Sequence, residues 1–418
     1  MVQVGIEAMN VFGGSAYVDV MELAEYRKLD LQRFNNLMMK EKTVALPCED
    51  PVTFAVNAAK PILDSLSEDE RSKIELLITC TESGIDFGKS LSTYVHDYLK
   101  LSRNCRLFEI KQACYSGTAG LQMASGLVLS QLSPGAKALV ISTDISRFLL
   151  IGDSDAMSMD WSFAEPSGGA GAVAMLISDN PRIFQIDRGA SGYYTYEVMD
   201  TCRPVPDSEA GDADLSLMSY LDCCQNSFNH YQKRVEGADF LKTFDFLAFH
   251  TPFGGMVKGA HRTMLRRLHR MNPAAIEEDF ERRVSDSLIF CQRVGNIMGG
   301  TLFLALASLI DKASIKEPKR VGCFSYGSGC ASEFFSGVIT SESQKELKQL
   351  NIEGHLNQRY KLSMKEYTQL LEGSSAVKFG TRSAVIDPEM LAAARSRGLD
   401  KCLFLKEINE FHRRYEWS

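Results

Sequence analysis

The sequence predicts an α/β protein that consists of two similar halves. Short apolar runs of the kind that form buried strands alternate along the chain with longer segments that have the apolar spacing of helices. An order of strand, turn and helix in the first half then recurs in the second half, as a repeated pattern rather than as repeated residues. We therefore predict two βαβ-rich halves, residues 1–178 and 179–418, with no flexible linker between them.

The individual elements follow from local apolar patterns. Apolar runs, one of them with a glycine-rich start, predict strands at residues 2–6, 74–80, 136–143, 167–178, 244–249, 321–325 and 333–339. Helical spacing predicts helices at residues 19–34, 51–66, 121–132 and 302–310. Gly168, Gly169 and Gly171 lead into a strand and not into a helix, so we interpret them as a close-packing feature rather than a phosphate-binding loop. Residues 342–418 are charged and are predicted to form a mostly helical peripheral tail, with an extended piece near residues 376–380.

Composition narrows the classes of function. The chain has 418 residues and a formal net charge of −7, and it has no run of basic residues, which argues against a nucleic-acid partner. Its first residues lack the basic and apolar regions of a secretory signal, and its longest apolar run, residues 301–310, is too short to cross a bilayer. The 11 cysteines are scattered without a C-x-x-C pair, which favours neither disulfides nor a zinc site. We therefore expect a cytoplasmic protein that does not bind a membrane.

One cysteine lies where a short apolar strand turns into a helix. Cys114 follows an apolar run at residues 107–110. Three residues beyond it are small, which would let a ligand approach the backbone: Ser116, Gly117 and Thr118. At the start of a helix, free backbone N–H groups and the helix dipole favour the thiolate over the thiol. Cys114 is therefore a candidate nucleophile, and the alternative is a buried structural cysteine.

A carboxylate and an imidazole stand at the ends of two other predicted strands. Glu82 follows the apolar run 74–80, and His250 ends the apolar run 244–249. With Cys114 they suit carbon–carbon bond formation from thioesters. The thiol would accept an acyl group, Glu82 would remove a proton from its methyl group, and His250 would donate a proton to the new alkoxide. Taken alone, Glu82 can instead be a loop carboxylate that is bonded to nearby backbone N–H groups.

These segments together resemble the 3-hydroxy-3-methylglutaryl-CoA (HMG-CoA) synthase family of the thiolase superfamily, from the N-terminus to about residue 340. Each matching segment corresponds to a motif of that family: Thr81-Glu82-Ser83, Ala113-Cys114-Tyr115-Ser116-Gly117-Thr118-Ala119, His250-Thr251-Pro252-Phe253, Gly295-Asn296 and Ser325-Tyr326-Gly327-Ser328-Gly329. The resemblance implies catalytic roles for Cys114, Glu82 and His250. It implies that a further group of residues binds substrate: Asn296, Ser325, Tyr326 and Asp200. It also implies a five-layered αβαβα thiolase-like fold, a homodimer, and a reaction that needs no metal or redox cofactor.

The chain departs from the primary-metabolism members of that family at several positions. Where those enzymes usually read Asn-Ala-Cys-Tyr-Gly, this chain reads Gln112-Ala-Cys-Tyr-Ser116, and Met298 stands where they tend to have Tyr. They also tend to have a Lys soon after the His-x-Pro-Phe motif, where this chain has Gly254-Gly255. Lys258 is then the nearest candidate for contact with a substrate phosphate. In these respects the chain is similar to the β-branching homologues of polyketide synthase pathways.

That similarity implies an enzyme whose substrates are acyl groups on the phosphopantetheine of acyl carrier proteins. Cys114 would take acetyl from a donor carrier, the derived nucleophile would add to a β-ketoacyl chain on an acceptor carrier, and water would release the product. Basic side chains of one segment are candidates for docking the carriers: Arg262, Arg266 and Arg267. Three alternatives stay open: an HMG-CoA synthase that uses acetyl-CoA and acetoacetyl-CoA, a Claisen-type ketosynthase, and a non-catalytic scaffold that binds acylated carriers.

Overall fold

The computed structural model of the chain describes residues 2–146, 161–204, 209–373, 377–390, 392 and 401–418. Over these residues the strands are β1 Gly5–Phe12, β2 Ala16–Asp19, β3 Glu41–Val44, β4 Ile74–Cys80, β5 Arg106–Ile110, β6 Lys137–Ile145, β7 Ala170–Ser178, β8 Phe184–Thr195, β9 Thr201–Cys202, β10 Ala210–Gly211, β11 Phe246–Phe249, β12 Lys319–Gly327, β13 Ala331–Ile339, β14 Tyr360–Lys361, β15 Ala384–Val385, β16 Leu403–Asn409 and β17 His412–Trp417. The helices are α1 Val20–Tyr26, α2 Leu31–Asn35, α3 Pro51–Asp64, α4 Glu68–Ser72, α5 Ser92–Tyr98, α6 Ser116–Ser130, α7 Trp161–Ser167, α8 Ala213–Arg234, α9 Gly254–His269, α10 Pro273–Arg283, α11 Ser285–Leu288, α12 Cys291–Val294, α13 Thr301–Lys312, α14 Ser341–Lys348, α15 Ile352–Gln358 and α16 Met364–Gly373, with a 3₁₀ turn at Met298–Gly300.

The main sheet has nine hydrogen-bonded strands in the order β11-β12-β13-β8-β1-β7-β6-β4-β5. In the first half, β4 pairs in parallel with β6, β6 pairs antiparallel with β7, and β7 pairs antiparallel with β1. The strands β11, β12, β13 and β8 repeat that order and those directions. The two sets meet in a short antiparallel contact between β1 and β8. The strand order thus repeats between the halves, whereas the domain division at residues 178 and 179, between β7 and β8, stays a prediction.

The two sets of strands form two layers. Helices lie between these layers and on the outer face of each, because the strands are apolar on both faces. The central helices α6 and α13 share one core with strands of both halves. On the outside, α3 packs against the strands of the first half, and α8 and α9 pack against those of the second half. Helix and strand layers therefore alternate as αβαβα, as predicted.

The start of α6 meets the 3₁₀ turn ahead of α13 at very short range. A Cβ atom on Gly117 would lie 2.2 Å from the carbonyl oxygen of Gly299. A Cβ atom on Gly169 would likewise lie 2.2 Å from the carbonyl oxygen of Val294, so the predicted close-packing role is confirmed at Gly169. Gly117, by contrast, was expected to leave room for a ligand, and that expectation is wrong because it faces the other half of the chain.

We expect Gly117→Ala to lower the free energy of unfolding by about 1–3 kcal/mol, the usual cost of overpacking a dense interior. The matched control is Gly126→Ala in the same helix, where a Cβ atom would meet nothing within 4 Å. That control should be neutral, or stabilising by about 0.5–1 kcal/mol, because alanine favours the helix. Denaturant unfolding of both variants measures the difference, and equal losses of stability would contradict the close contact.

Two predicted elements near the N-terminus are wrong in extent. The first strand covers Gly5–Phe12 rather than residues 2–6. The single helix predicted at residues 19–34 is two helices, α1 and α2. The first of these ends at Tyr26, and Lys28 adopts a left-handed conformation with a φ of 56°, which stops the helix. The apolar spacing continues through this break, so the sequence pattern does not reveal it.

The predicted helical tail is wrong at its end, where β16 and β17 form an antiparallel hairpin. Leu403 and Phe404 of the hairpin are buried in the outer core of the first half. The side chain of Asn57 on α3 donates a hydrogen bond to the backbone of Leu403 at 3.1 Å and accepts one at 2.7 Å. Charged residues in β17 obscure its strand pattern. Of the extended piece predicted at 376–380, residues 377–380 form a bend and a turn, and residue 376 lies outside the described residues.

Candidate active site

Glu82 lies in a tight loop that follows β4, and a buried aspartate holds this loop. Oδ1 of Asp144, near the end of β6, accepts hydrogen bonds from the backbone N–H groups of Glu82 and Ser83 at 2.8 and 2.9 Å. It also accepts one from the hydroxyl of Thr81 at 3.1 Å. Because β4 and β6 are parallel neighbours, their C-terminal ends bring these residues together. The loop N–H groups are thus bonded to Asp144, and the side chain of Glu82 lines a cavity.

Cys114 lies in the turn between β5 and α6, two residues before the helix begins. Ala113 makes this turn possible by adopting a left-handed conformation with a φ of 44°. The Cys114 Sγ atom lies 3.6 Å from Oε1 of Glu82 and 3.9 Å from Sδ of Met298. The thiol of the first half therefore faces both a carboxylate of its own half and a side chain of the second half.

His250 comes directly after β11 in the second half. Its backbone N–H donates to the carbonyl of Phe324 on β12 at 2.7 Å, and its carbonyl accepts from the hydroxyl of Tyr220 at 2.7 Å. Its imidazole is buried, and Nδ1 has no hydrogen-bond partner among the described residues. Burial lowers the pKa of His250 to about 3, so the ring is neutral near pH 7.

One cavity of about 490 Å³ collects the three predicted catalytic side chains, Glu82, Cys114 and His250. Asn296 and Tyr326 line the same cavity. Its volume lies within the range of small-molecule sites in proteins. Residues from both halves of the chain, at the ends of several strands, thus meet in one place.

Two predicted binding residues support the wall of the cavity instead of lining it. Asp200 is buried and accepts hydrogen bonds from the hydroxyl of Tyr326 at 2.5 Å and from the backbone N–H of Gly329 at 2.9 Å. Ser325 is buried and accepts a hydrogen bond from the hydroxyl of Thr118 at 2.8 Å. These contacts fix the end of β12, which carries Tyr326 into the cavity, and the loop that follows it.

Asn296 is oriented by its own turn. The preceding Gly295 has a φ of 90°, a backbone conformation that residues with a side chain rarely adopt. The side-chain oxygen of Asn296 accepts hydrogen bonds from the backbone N–H of Met298 at 3.0 Å and from the hydroxyl of Thr301 at 2.9 Å. The Gly-Asn pair is therefore built into the start of α13, where it holds an amide group at the cavity.

Lys258 does not line this cavity. Its ammonium group on α9 forms an ion pair with Glu277, and it lines a separate groove together with Arg262 and Arg266. Arg267, on the same helix, donates a hydrogen bond to the side chain of Gln225. The structure thus does not bring Lys258 to the other predicted site residues, and its contact with a substrate phosphate stays a prediction.

The thiol of Cys114 is not poised as a thiolate in the resting site. Burial raises its pKa well above the ordinary value, and the negative charge of Glu82 raises it further. The expectation that the start of a helix would favour the thiolate is therefore wrong here, because desolvation and a neighbouring carboxylate outweigh the dipole. The group in contact with the thiol is the carboxylate of Glu82, and its predicted role as a base stays a prediction.

Two charged residues of the cavity are not among the predicted site residues: Arg203 and Glu209. Nη1 of Arg203 donates to the backbone carbonyl of Glu82 at 3.1 Å, and its Nε lies 3.7 Å from Oε2 of Glu82. Its Nη2 lies 3.9 Å from Oε2 of Glu209. Burial raises the pKa of Glu209 to about 7, and burial followed by the charge of Glu82 raises that of Asp144 to about 7. Asp144 could have been found as the end of a buried strand, whereas Glu209 lies in a polar segment without periodicity.

We expect the alkylation of Cys114 by iodoacetamide to rise with pH only in the alkaline range. Glu82→Gln should move this profile to lower pH by about one unit, since the neutral amide removes a charge that opposes the thiolate. Peptide mass spectrometry at each pH measures the modification of Cys114, with Cys402 in the same samples as the internal reference. A profile that does not move would contradict the electrostatic interaction between Glu82 and the thiol.

The described part of the chain has neither a metal-binding cluster nor a membrane-spanning helix. Within it, no group of three or more His, Cys, Asp or Glu side chains could hold a metal ion. None of the helices in that part is both long enough and apolar enough to cross a membrane. All 11 cysteines belong to the described residues, and none of them forms a disulfide there.

The layered fold and the cavity between its halves define a thiolase-like condensing enzyme. The chain belongs to the hydroxymethylglutaryl-coenzyme A synthase family: the model of the family's N-terminal region matches residues 2–182, and that of its C-terminal region matches residues 261–417. The predicted family is thereby confirmed, together with the prediction of a condensing acyltransferase.

Relatives of known identity resemble the chain over most or all of its length. It is 66% identical over 418 residues, 100% of both chains, to the polyketide biosynthesis 3-hydroxy-3-methylglutaryl-ACP synthase PksG of Bacillus subtilis. It is 34% identical to the hydroxymethylglutaryl-CoA synthase of Enterococcus faecalis over 87% of this chain and 90% of the relative. The crystal structure of the curacin pathway HMG synthase in complex with holo donor-ACP matches with a TM-score of 0.95 and 63% identity over 100% of both chains. These matches confirm the predicted thiolase-like fold.

Proposed function

We propose that the protein is an HMG synthase of polyketide β-branching, which adds an acetyl-derived carbon nucleophile to a β-ketoacyl thioester on an acyl carrier protein. The observation that carries this proposal is the distance of 3.6 Å between Cys114 Sγ and Glu82 Oε1, in a cavity that His250 also lines. Its support includes the 66% identity, over the full length, to a synthase whose name specifies an acyl carrier protein.

The first step acetylates Cys114. Glu82 accepts the thiol proton while Sγ attacks the carbonyl carbon of the acetyl thioester on the donor carrier. The bond from that carbon to the carrier's sulfur then breaks, and the proton leaves with the released phosphopantetheine thiol. Glu82 is again ionised beside the new thioester, so the same carboxylate is ready for the next step.

The second step makes the carbon nucleophile and the new bond. Glu82 removes a proton from the methyl group of acetyl-Cys114, and the enolate that forms attacks the β-ketone carbon of the acceptor chain. The imidazole of His250 is neutral during this step, because burial lowers its pKa to about 3. We therefore assign His250 a hydrogen bond to the ketone oxygen rather than the proton donation expected from the sequence. The proton held by Glu82 then passes to the alkoxide, which gives the 3-hydroxyl group and returns Glu82 to its ionised form.

The third step releases the product by hydrolysis. Water adds to the carbonyl carbon of the Cys114 thioester, the carbon–sulfur bond breaks, and the thiol regains its proton. The product is a 3-hydroxy-3-methylglutaryl-like chain that stays on the acceptor carrier. Loss of a thioester bond to water makes the overall sequence irreversible, and these steps use the side chains of this chain without a metal or redox cofactor.

The carriers are proposed to dock near α9. Arg262 and Arg266 line a groove on this helix, and acyl carrier proteins are usually acidic, so charge complementarity favours the encounter. We place the reaction in the cytoplasm, where free thiols persist. A homodimer is proposed from the superfamily resemblance, with β5 as an edge strand of the main sheet in each copy.

Intact-protein mass spectrometry of acetyl transfer tests the preference for a carrier. We expect rapid acetylation by an acetyl-carrier protein and much slower acetylation by free acetyl-CoA at the same low concentration. Equal or faster acetylation by acetyl-CoA would contradict carrier dependence and favour an HMG-CoA synthase of primary metabolism.

The docking face is tested by reversing its charge. The double variant Arg262→Glu/Arg266→Glu should slow acetylation by an acetyl-carrier at least ~10-fold, because it replaces attraction with repulsion. Acetylation by acetyl-N-acetylcysteamine, which has no carrier surface, should be unchanged. Arg382→Glu, at an exposed position on the far tail, is the matched control and should behave as the wild type. A uniform loss with both donors would contradict a docking role.

A further inference from the structure

Two apolar side chains lie against the sulfur of Cys114. Met298, in the 3₁₀ turn before α13, and Ala164, near the end of α7, form a small buried apolar cluster against which Cys114 packs. Sδ of Met298 lies 3.9 Å from Cys114 Sγ, which is van der Waals contact and leaves no room for another atom between the two sulfurs. All three residues line the catalytic cavity. An acyl group that is bonded to Sγ must therefore fit beside Met298.

We propose that Met298 determines the size of the donor acyl group, so that Cys114 accepts acetyl and discriminates against acyl groups that are longer by one or more methylene groups. The inference deepens the proposed function and rests on it, because that function places an acyl group on Cys114. It assigns Met298 a role in specificity and no part in proton transfer.

The acyl group on Sγ has a polar and an apolar neighbour. Oε1 of Glu82 lies 3.6 Å from Sγ, and Sδ of Met298 lies 3.9 Å from it. A third carbon on the acyl group gains nothing beside a carboxylate, because an ionised group that loses water contacts to an apolar neighbour is destabilised. The apolar surface next to Sγ is formed by Met298 and Ala164, which already occupy that space. A propionyl group is therefore expected to press on Met298.

The backbone that carries Met298 is fixed close to Cys114. Met298 has a φ of 49°, and its N–H donates a hydrogen bond to the side-chain oxygen of Asn296 at 3.0 Å. The next residue, Gly299, packs so closely on α6 that a Cβ atom there would lie 2.3 Å from Oγ of Ser116. Because Ser116 is two residues from Cys114 in the chain, this packing holds the turn next to the nucleophile. The side chain of Met298, rather than its backbone, therefore sets the space beside Sγ.

Ala164 is held beside Met298 by the end of α7. The backbone carbonyl of Ser167 accepts a hydrogen bond from the N–H of Asn296 at 2.7 Å, and the N–H of Gly169 donates to the carbonyl of Asn296 at 3.0 Å. These two bonds join the segment that contains Ala164 to the turn that contains Met298. Both parts of the apolar wall are therefore positioned by the same backbone contacts.

The expected effect follows from the value of one methylene group in a packed pocket, which is about 10–200-fold in rate. The wild type should load acetyl at least ~10-fold faster than propionyl. Met298→Ala removes three non-hydrogen atoms of the side chain, more than the single carbon by which propionyl exceeds acetyl. The preference for acetyl should then fall by about 10-fold or more.

The test compares the rates at which acetyl-N-acetylcysteamine and propionyl-N-acetylcysteamine acylate Cys114 in the full chain, followed by intact-protein mass spectrometry. In each transfer a bond forms between Sγ and the carbonyl carbon, the carbon–sulfur bond of the donor breaks, and the thiol proton leaves with the released N-acetylcysteamine. Met298→Ala should raise the ratio of propionyl to acetyl loading by about 10-fold or more. Met298→Gly should do the same, since glycine adopts a positive φ without strain. Met298→Leu nearly conserves the side-chain volume, so it is the matched control and should keep the wild-type ratio.

The outcomes separate the inference from the proposed function. If the wild type loads acetyl on Cys114 but loads propionyl equally fast, or if neither small variant raises the ratio, the role of Met298 is overturned and the proposed function stands. Equal losses of loading with both donors in both small variants would make Met298 merely structural, which also overturns the inference. If the wild type loads neither acyl group on Cys114, the proposed acylation of Cys114 falls together with this inference.

Discussion

Cys114→Ala is expected to abolish acetyl loading and to lower turnover by more than about 10³-fold, because the covalent route depends on a single sulfur. The thiol is the proposed nucleophile, and its Sγ atom lies 3.6 Å from the carboxylate of Glu82. Without it, neither the enzyme-bound acetyl group nor the enolate derived from it can form. Intact-protein mass spectrometry after exposure to an acetyl-carrier, together with a turnover assay, measures both losses.

A second cysteine of the same cavity supplies the matched control. Cys202 also lines the cavity and is a free thiol. Cys202→Ala should therefore load acetyl on Cys114 as the wild type does. Acetylation of the Cys114→Ala protein at the wild-type rate, or loss of loading in Cys202→Ala, would contradict the assignment. The absence of turnover in the wild type itself would instead favour a non-catalytic scaffold.

Glu82→Gln is expected to load acetyl on Cys114, more slowly than the wild type, and to condense at least ~100-fold more slowly. Loading can proceed in part without proton removal by Glu82, since removal of the Glu82 charge favours the thiolate of Cys114. Abstraction of a methyl proton depends on a carboxylate next to the acetyl group, and Glu82 is the carboxylate that contacts Cys114 Sγ, at 3.6 Å. Single-turnover assays that follow loading and condensation separately measure this split.

The shorter acid provides the control for that variant. Glu82→Asp keeps the charge but withdraws the carboxylate by one methylene group from Cys114. We expect it to condense faster than Glu82→Gln and more slowly than the wild type. Normal condensation by Glu82→Gln would remove Glu82 from the mechanism. In that case Glu82→Asp should also condense at the wild-type rate.

The position of a candidate catalytic residue could be predicted from the sequence where that residue follows a strand closely in the chain. Glu82, Cys114 and His250 each follow an apolar strand, and the parallel pairing of such strands brings their ends together. The thiolase-like layers could be predicted for the same reason, with the family motifs as a second source. Asn296 and Tyr326 line the same cavity, and their predicted contact with substrate stays a prediction.

The predictions failed where an effect depends on distant residues. The protonation of Cys114 is set by burial and by Glu82, which lies 32 positions away in sequence. Arg203 and Glu209 gain their positions from the fold around a polar segment and not from a local pattern. Lys258 is near the motif that ends at Phe253 in sequence, yet its helix points it toward Glu277 and away from the cavity.

The same limit explains the terminal hairpin. Charged residues make up much of β17, so the sequence shows no clear apolar alternation there. Its partner strand, β16, contacts α3, which lies more than 300 positions earlier in the chain. A local reading assigns such a segment to a peripheral helix. Burial against the first half, which no local pattern encodes, makes it a strand.

The most direct test of the central claim is a single-turnover reaction with a carbon-13-labelled acetyl donor carrier and an unlabelled β-ketoacyl acceptor carrier in oxygen-18 water. If acetyl is held on Cys114, enolised by Glu82 and released by hydrolysis, the label should appear first on the peptide that contains Cys114. It should then appear on the acceptor, which gains two labelled carbons and one oxygen from water. Labelled acceptor without a labelled Cys114 intermediate, or a β-ketoacyl product without oxygen from water, would contradict the account.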